Sequence, residues 1–258
     1  MSPIQVTHDG PTLRIVLNRP DVRNAFDEDV IDALSACAAS AASDPSVRVV
    51  VLSGAGKAFC AGADLGWMAK AVAYSQVENL ADAEDFALML ERMDTLPVPV
   101  IGRVHGAALG GGVGLAAVCD IVVAAEDTIF GLTEVKLGIL PAVISPYVLR
   151  KVGVSAAREL FLSGTRFDAA RARNLGLVHE VVPEAELDSA IERRITDLLT
   201  SGPKAVAAAK ALIRDVAGES PKDVIGLTTS RIAAHRVSPE GQEGMRAFLQ
   251  KRKPDWAR

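Results

Sequence analysis

The 258-residue sequence has only three cysteines, Cys37, Cys60 and Cys119. They are widely spaced and odd in number, which excludes a disulfide framework and the paired spacing of a zinc site. No bound metal is expected, and a reducing cytoplasmic setting is. An excess of positive charge is missing too: 28 Lys and Arg stand against 32 Asp and Glu, a net charge of −4. A surface for the nucleic-acid backbone is therefore not the main function. No apolar run reaches the about 18 residues of a membrane span. The N-terminal stretch "MSPIQVTHDG" has neither a basic nor an apolar region of signal-peptide type. Linkers, low-complexity tracts and internal repeats are lacking as well. The four histidines are scattered, and His105 reads best as a hydrogen-bonded residue near the core.

What is present has the balance of a globular protein, with 49% hydrophobic and 23% charged residues. Residues 13–17 ("LRIVL") read as a strand ending at "NRP". Asp27 is placed to cap an amphipathic helix running to about residue 42, followed by a strand in "VRVVVLSG". The loop "GAGKAFCAGADLGWMAK" comes next, with Asp64 as the cap of a short helix. Residues 78–93 have helical spacing and stop before Pro97. "VPVIGRVHGAA" reads as a third strand and "DIVVAAE" as a fourth, with a glycine-opened helix to about residue 118 between them. Strands alternating with helices predict βαβ crossovers and a mainly parallel sheet. From Ser145 onward nearly everything reads as helix, apart from "GLVHEVV". The expected organisation is an α/β core over residues 1–200 and a helical C-terminal region over 201–258.

The segment "GAALGGGVGL" carries glycine at positions 106, 110, 111, 112 and 114 between two apolar stretches. Glycine costs backbone entropy, so this density needs a reason. A strand, glycines and a helix start would aim free N–H groups at a polarised oxygen. Close helix–sheet packing explains the glycines equally well. Residues 112–117 also match the G-x-G-x-x-A pattern of dinucleotide-binding proteins, with Glu126 and Asp127 downstream, although "HGAAL" intervenes where the strand should lead straight in. The loop "KAFCAGADL" favours the first reading. It too follows a strand, contains a glycine and precedes a helix, so two loops would each supply one N–H to a single oxygen.

Six segments, "NRPDVRNAF", "KAFCAGADL", "GAALGGGVGLAAVCDIVVAAED", "FGLTEVKLGI", "ARNLGLVHEVV" and "EGMRAFLQKRK", stand in the order and rough spacing of the crotonase (enoyl-CoA hydratase/isomerase) superfamily. The chain resembles that family over nearly its whole length. The resemblance implies the crotonase spiral fold, a homotrimer or dimer of trimers, and an acyl-CoA thioester substrate with no separate cofactor, CoA being part of the substrate. It implies an oxyanion hole made by the N–H groups of Ala63 and Gly111. It also implies contacts to substrate or CoA at Arg23, Ala25, Ala61, Asp64 and Leu65, and at Phe248 and Lys251 across to a neighbouring subunit. A solvated basic end is the plain alternative for the "QKRKPDWAR" tail.

Hydratases that this chain resembles use two glutamates, and here only one is present. Glu134 matches the proton-exchanging residue, and its apolar neighbours Ile129, Phe130, Leu132 and Val135 are expected to raise its pKa. The other position holds Gly114. A glutamate restored there is expected to point at the substrate if the pocket has room. Asp64 and Asp120 are conceivable substitutes, as are Ser145 and Tyr147 for ordering a water, although capping and structural hydrogen bonds suit the two aspartates better. The run "PAVISPYV" resembles a bacterial branch that includes 3-methylglutaconyl-CoA hydratases. The expected activity is hydration of a short, branched or carboxylated 2-enoyl-CoA with Glu134 as acid and base. Single-base isomerisation, a nicotinamide-dependent oxidoreductase and an inactive CoA-binding scaffold remain as alternatives.

Overall fold

The computed structural model describes residues 2–257. It opens with a hairpin in which β1 (Ile4–Asp9) pairs antiparallel with β2 (Thr12–Leu17), Ile4 opposite Leu17. β2 is expected from its apolar run. β1 is not, because its alternation spans only Ile4 to Thr7 and gives way to His8 and Asp9, and only Ile4 of its six residues is buried. Next come α1 (Glu28–Ser43), capped as expected by Asp27 accepting from Val30 N at 3.0 Å, and β3 (Val49–Gly54). α2 (Leu65–Ala73) and α3 (Gln76–Thr95) follow, the second opened by a capping box of Ser75 and Glu78.

The stretch read as one strand over residues 98–108 is two: β4 (Val100–Val104) and β5 (Ala107–Leu109). Gly106 separates them at φ 63°, and a Cβ there would lie 2.0 Å from the Lys57 carbonyl oxygen. The chain therefore leaves one sheet and enters another at a position that only glycine fills. After β5 come α4 (Gly111–Ala117), β6 (Ile121–Ala125) and β7 (Ile129–Gly131). α5 (Ser145–Ser163) is broken by a non-helical Gly153; β8 (Arg166–Asp168), α6 (Ala169–Asn174), β9 (Glu180–Val182) and α7 (Leu187–Leu199) complete the core.

Six strands form one sheet in the order β1-β2-β3-β4-β6-β9, parallel beyond the hairpin, and β5-β7-β8 form a second. Within β3, side chains alternate between two cores. Val50 and Leu52 join the larger one with α1, α3 and the small sheet, while Val49 and Val51 face Leu187, Ile191 and Ile195 of α7. A strand buried on both faces reads as the continuous apolar run that "VVVL" presents.

The last three helices are α8 (Pro203–Val216), α9 (Ile225–Val237) and α10 (Pro239–Leu249). They hold few buried residues of their own, and Ile213, Ile225, Ile232, Val237, Phe248 and Leu249 are exposed. They are tied to the core by polar clamps. Arg48 donates to the carbonyls of Leu199, Ser201 and Trp256, and Lys210 donates to Asp120 at 2.6 Å. No helix among the described residues is long and apolar enough to cross a membrane.

Gly106→Ala is expected to destabilise the protein by roughly 2–4 kcal/mol, because the new methyl meets backbone that cannot swing away. Urea unfolding followed by circular dichroism checks this, and a loss below about 0.5 kcal/mol would remove the steric account of the β4–β5 break.

Candidate active site

Three segments that are distant in sequence meet at the ends of β3 and β5. The loop over residues 60–64 lies between them and is hydrogen-bonded on both sides. On one side Ala61 N donates to Arg23 O at 3.0 Å, Phe26 N to Gly62 O at 2.7 Å and Asp64 N to Phe26 O at 2.7 Å. On the other, Cys60 N donates to Ala107 O and Leu109 N to Cys60 O. The pattern skips Ala63: its N–H donates to no group among the described residues. Gly111, the first residue of α4, likewise has an N–H without an acceptor, as the first turn of any helix must.

Glycines set how closely these parts approach. A Cβ on Gly62 would lie 3.0 Å from Leu109 O and 3.9 Å from the Gly110 Cα, so the two loops are in direct backbone contact. Gly62 and Gly110 both have positive φ, 95° and 51°. A Cβ on Gly110 would lie 3.2 Å from Glu134 Oε1, which places the Glu134 carboxyl directly over the strand-to-helix corner. Gly112 serves packing instead, since a Cβ there would be 2.4 Å from Cys60 O. Both readings of the glycine cluster therefore hold, at different positions.

Ala63, Gly111 and Glu134 all line one cavity of about 420 Å³, together with Ala61. Its wall is apolar: Phe26 and Phe86 pack with ring centroids 5.2 Å apart, Trp67 lies edge-on to Phe86, and Ile139 to Ile144 close another side. Glu134 begins a short 3-10 helix, Glu134–Leu137, ended by Gly138 in the left-handed region. Its Oε2 is buried with no hydrogen-bond partner. Burial raises its pKa above the ordinary carboxylate value, opposed by a hydrogen bond from its own backbone N–H. Two residues whose N–H groups have no acceptor and one carboxyl with an unpartnered oxygen thus line a single, largely apolar space. Such a set can hold charge developing on a carbonyl oxygen while a proton moves nearby.

The other anticipated residues fall into different places. Asp64 does not line the cavity: its Oδ1 caps α2 through Gly66 N at 2.7 Å and its Oδ2 meets Arg19 at 3.1 Å. Leu65 is 82% exposed. Arg23, exposed and at φ 53°, offers its carbonyl to Ala61, and the buried Ala25 offers its carbonyl to Arg19. Phe248, 83% exposed, and Lys251 lie at the end of α10 and are not in this chain's cavity wall. Asp120 is occupied with Val100 N and Lys210, Ser145 Oγ with Ala142 O, and Tyr147 packs on the core. His105 is buried and contacts Gly56 O, as expected of a structural histidine.

The expectation for Gly114 is corrected. A Cβ there would lie 2.1 Å from Ile144 Cγ2 and 2.7 Å from Ile144 Cβ. The volume a side chain would need is filled by Ile144, so a glutamate cannot point from this position into the cavity without displacing the wall. Sequence reasoning missed Ile144 and the aromatic wall, because both depend on contacts between distant segments. α4 is also only seven residues long and ends at Ala117, so its contribution is the free first-turn N–H rather than a long helix dipole.

A second cavity, about 450 Å³, lies among α8, α9 and α10 and contains none of the anticipated residues. No cluster of three or more His, Cys, Asp or Glu able to hold a metal occurs among the described residues. The dinucleotide pattern at residues 112–117 lacks its required setting, because it lies inside α4 (Gly111–Ala117) and not in the turn that leads into the helix.

Residues 9–258 match the family model described as Enoyl-CoA hydratase/isomerase. The 2,3-dehydroadipyl-CoA hydratase of Escherichia coli is 34% identical over 259 residues, covering 99% of both chains. The enoyl-CoA isomerase/hydratase fer4 of Mycosarcoma maydis is 34% identical over 250 residues, covering 93% of this chain and 90% of that one. Among solved structures, an enoyl-CoA hydratase from Shewanella pealeana superposes with a TM-score of 0.95 at 40% identity, covering 98% of this chain and 96% of that one. With the paired N–H groups and the facing carboxylate, these likenesses identify the chain as a member of the enoyl-CoA hydratase/isomerase family of enzymes.

Proposed function

We propose that this protein hydrates a short, branched 2-enoyl-CoA with one carboxylate, Glu134, and an oxyanion hole formed by Ala63 and Gly111. The observation that carries the reading is the unpartnered Glu134 Oε2, buried in the same cavity wall as two donor N–H groups that have no acceptor. In the forward direction the Glu134 carboxylate takes a proton from water as the water oxygen bonds to the β-carbon. The double-bond electrons move onto the thioester oxygen as an enolate, held by the two N–H groups. The carboxyl then returns its proton to the α-carbon, so one water is added in total. A base with a raised pKa suits both halves of this transfer.

The acyl group is uncharged in this reading. Glu134 is the only ionisable side chain in the cavity wall among the described residues, so a carboxylated tail finds a like charge and no cation there. The 3-methylglutaconyl type of substrate, and with it a place in leucine breakdown, is the competing arm of the test. Isomerisation is the second reading, favoured by the filled Gly114 site that leaves a single base. In that case Glu134 would move one proton from the α- to the γ-carbon and no water would add. The exposed apolar residues of α9 and α10 support assembly into a homotrimer or dimer of trimers, with Phe248 and Lys251 reaching a neighbour's CoA. The three free thiols fit a cytoplasmic enzyme.

Loss of conjugated-thioester absorbance over a panel of straight, branched and carboxylated 2-enoyl-CoA esters, with 3-enoyl-CoA beside them, separates these readings. Turnover of branched uncharged 2-enoyl esters is expected to lead; preference for 3-enoyl or carboxylated esters would overturn the assignment. Glu134→Gln is expected to lower kcat by about 10²-fold or more while acyl-CoA binding persists. Near-normal turnover removes Glu134 from the chemistry.

Hydration starts from ionised Glu134, so kcat/KM should climb with pH through a value above the usual carboxylate range. Stability runs the other way. A carboxyl whose folded pKa is raised contributes fully below its unfolded value and loses that contribution as pH rises through the folded one. Glu134→Gln should therefore have a higher Tm than the parent at pH 7 and no advantage near pH 4. An equal Tm difference at both pH values would mean that the carboxylate is not desolvated. Separately, Gly114→Ala is expected to cost about 1–3 kcal/mol by overpacking on Ile144, with Ile144→Ala in the same chain recovering part. A Gly114→Ala protein as stable as the parent would refute the filled-site account.

A further inference from the structure

Arg19 lies outside the cavity wall, yet its guanidinium joins three groups at the edge of the site. Nη1 donates to Ala25 O at 2.6 Å, and Nη2 meets Asp27 Oδ2 at 2.8 Å and Asp64 Oδ2 at 3.1 Å. All three side chains are largely shielded from solvent, at 24%, 19% and 14% exposure. Each aspartate is divided between two tasks. Asp27 caps α1 with Oδ1, Asp64 caps α2 with Oδ1, and both give Oδ2 to the same guanidinium. One cation therefore ties the starts of two helices to the segment at residues 25–26.

Ala63 sits immediately before Asp64, and Phe26 immediately after Ala25. Phe26 is the residue whose N and O bond Gly62 O and Asp64 N, on either side of Ala63. Fixing Ala25 O and Asp64 Oδ2 together fixes the frame in which the Ala63 N–H points. Arg19 is itself held, its N–H donating to Asn24 Oδ1 at 2.9 Å, while Asn24 Nδ2 donates to Ala55 O and Ala58 O. Asn24 is buried and strained at φ 56°. The chain thus commits a buried amide in an unfavourable conformation to holding this arginine and the strand-to-loop corner together.

We infer that Arg19 is the positioning residue of the oxyanion hole: it acts through Asp64 and Ala25 to aim the Ala63 N–H, without touching substrate. This rests on the function proposed above. A donor displaced by a fraction of an ångström stabilises the transition state less while leaving ground-state binding of a large CoA ester nearly intact, so the effect belongs in kcat. A forked guanidinium satisfies three acceptors at fixed angles, which an ammonium does not.

The test uses Arg19→Met, Arg19→Lys and Asp64→Asn in the full-length protein, with folding verified by circular dichroism and size. Asparagine caps a helix as well as aspartate does, so Asp64→Asn removes the ion pair and keeps the α2 cap. Arg19→Met is expected to lower kcat about tenfold or more with KM within about twofold. Bound acetoacetyl-CoA, whose enolate absorbs in the near ultraviolet, should show a weaker enolate band. Arg19→Lys should recover part of the loss. Asp64→Asn should lower kcat in the same way and add little when combined with Arg19→Met. Parental kcat and enolate band in a folded Arg19→Met or Asp64→Asn protein, or a raised KM with kcat unchanged, would overturn the inference. If Arg19→Met does not fold, Asp64→Asn decides. Glu134→Gln run alongside separates the two ideas. An inactive Glu134→Gln with a fully active Arg19→Met sinks only the positioning role. An active Glu134→Gln beside a crippled Arg19→Met sinks only the assigned base.

Discussion

Everything at the cavity depends on the backbone lacing of the loop over residues 60–64. Five hydrogen bonds tie it to residues 23–26 on one side and 107–109 on the other, and the ladder passes over one N–H, that of Ala63. An N–H left over at the edge of a loop would ordinarily turn to solvent or find a local carbonyl. Here its neighbours on both sides are committed to Phe26, and Ala63 lines the same cavity as Gly111, the first residue of α4. Donors held this way need no reorganisation when charge develops in front of them, which is why a fixed pair is worth more than two mobile ones.

Holding that arrangement has local costs, and each is met by an identifiable contact. Arg23 and Asn24 both lie at positive φ, where side chains are disfavoured. Asn24 offsets this with three hydrogen bonds from a fully buried amide, including one from the backbone of Arg19. The close approach of Gly62 to Gly110 is open only to glycine, because a side chain on either would wedge the two loops apart or press on Glu134. The cost at Glu134 is met only in part: one oxygen is buried without a partner and burial pushes its pKa up, opposed by a hydrogen bond from its own backbone N–H. An uncompensated polar group in an apolar cavity is what a site poised to transfer a proton looks like before its substrate arrives.

Much of this was legible in the sequence, and for physical reasons. Asp27 and Asp64 read as caps because helix starts need an acceptor for free N–H groups, and both side chains do that. The apolar run at β3 read as a strand, and it is continuous because both of its faces pack. Ala63, Gly111 and Glu134 meet in one cavity as the resemblance implied. What could not be read lies in contacts between distant segments. β1 is an edge strand with one buried residue, and its alternation, Ile4 to Thr7, is too short to stand out. The break between β4 and β5 is set by the Lys57 carbonyl, and no local pattern around Gly106 announces it. Arg19 looks like a surface residue of a turn until Asp27 and Asp64 are brought to it from different helices.

The single carboxylate follows from packing as much as from chemistry. Taken alone, Gly114 looks like a vacancy left by a lost acid. In the fold there is no vacancy, because Ile144 stands where the side chain would be and belongs to the same proline-bearing segment that closes the cavity. The glycine and the isoleucine are two halves of one contact: a larger residue at 114 drives Ile144 out of the wall, and a smaller residue at 144 opens a hole against α4. With that position filled, Glu134 is the one ionisable side chain of the cavity wall among the described residues. The hydration proposed above needs only one proton moved along a path a single carboxyl can span. In that proposal water adds at the β-carbon, and the carboxyl held over Gly110 returns the same proton to the adjacent α-carbon.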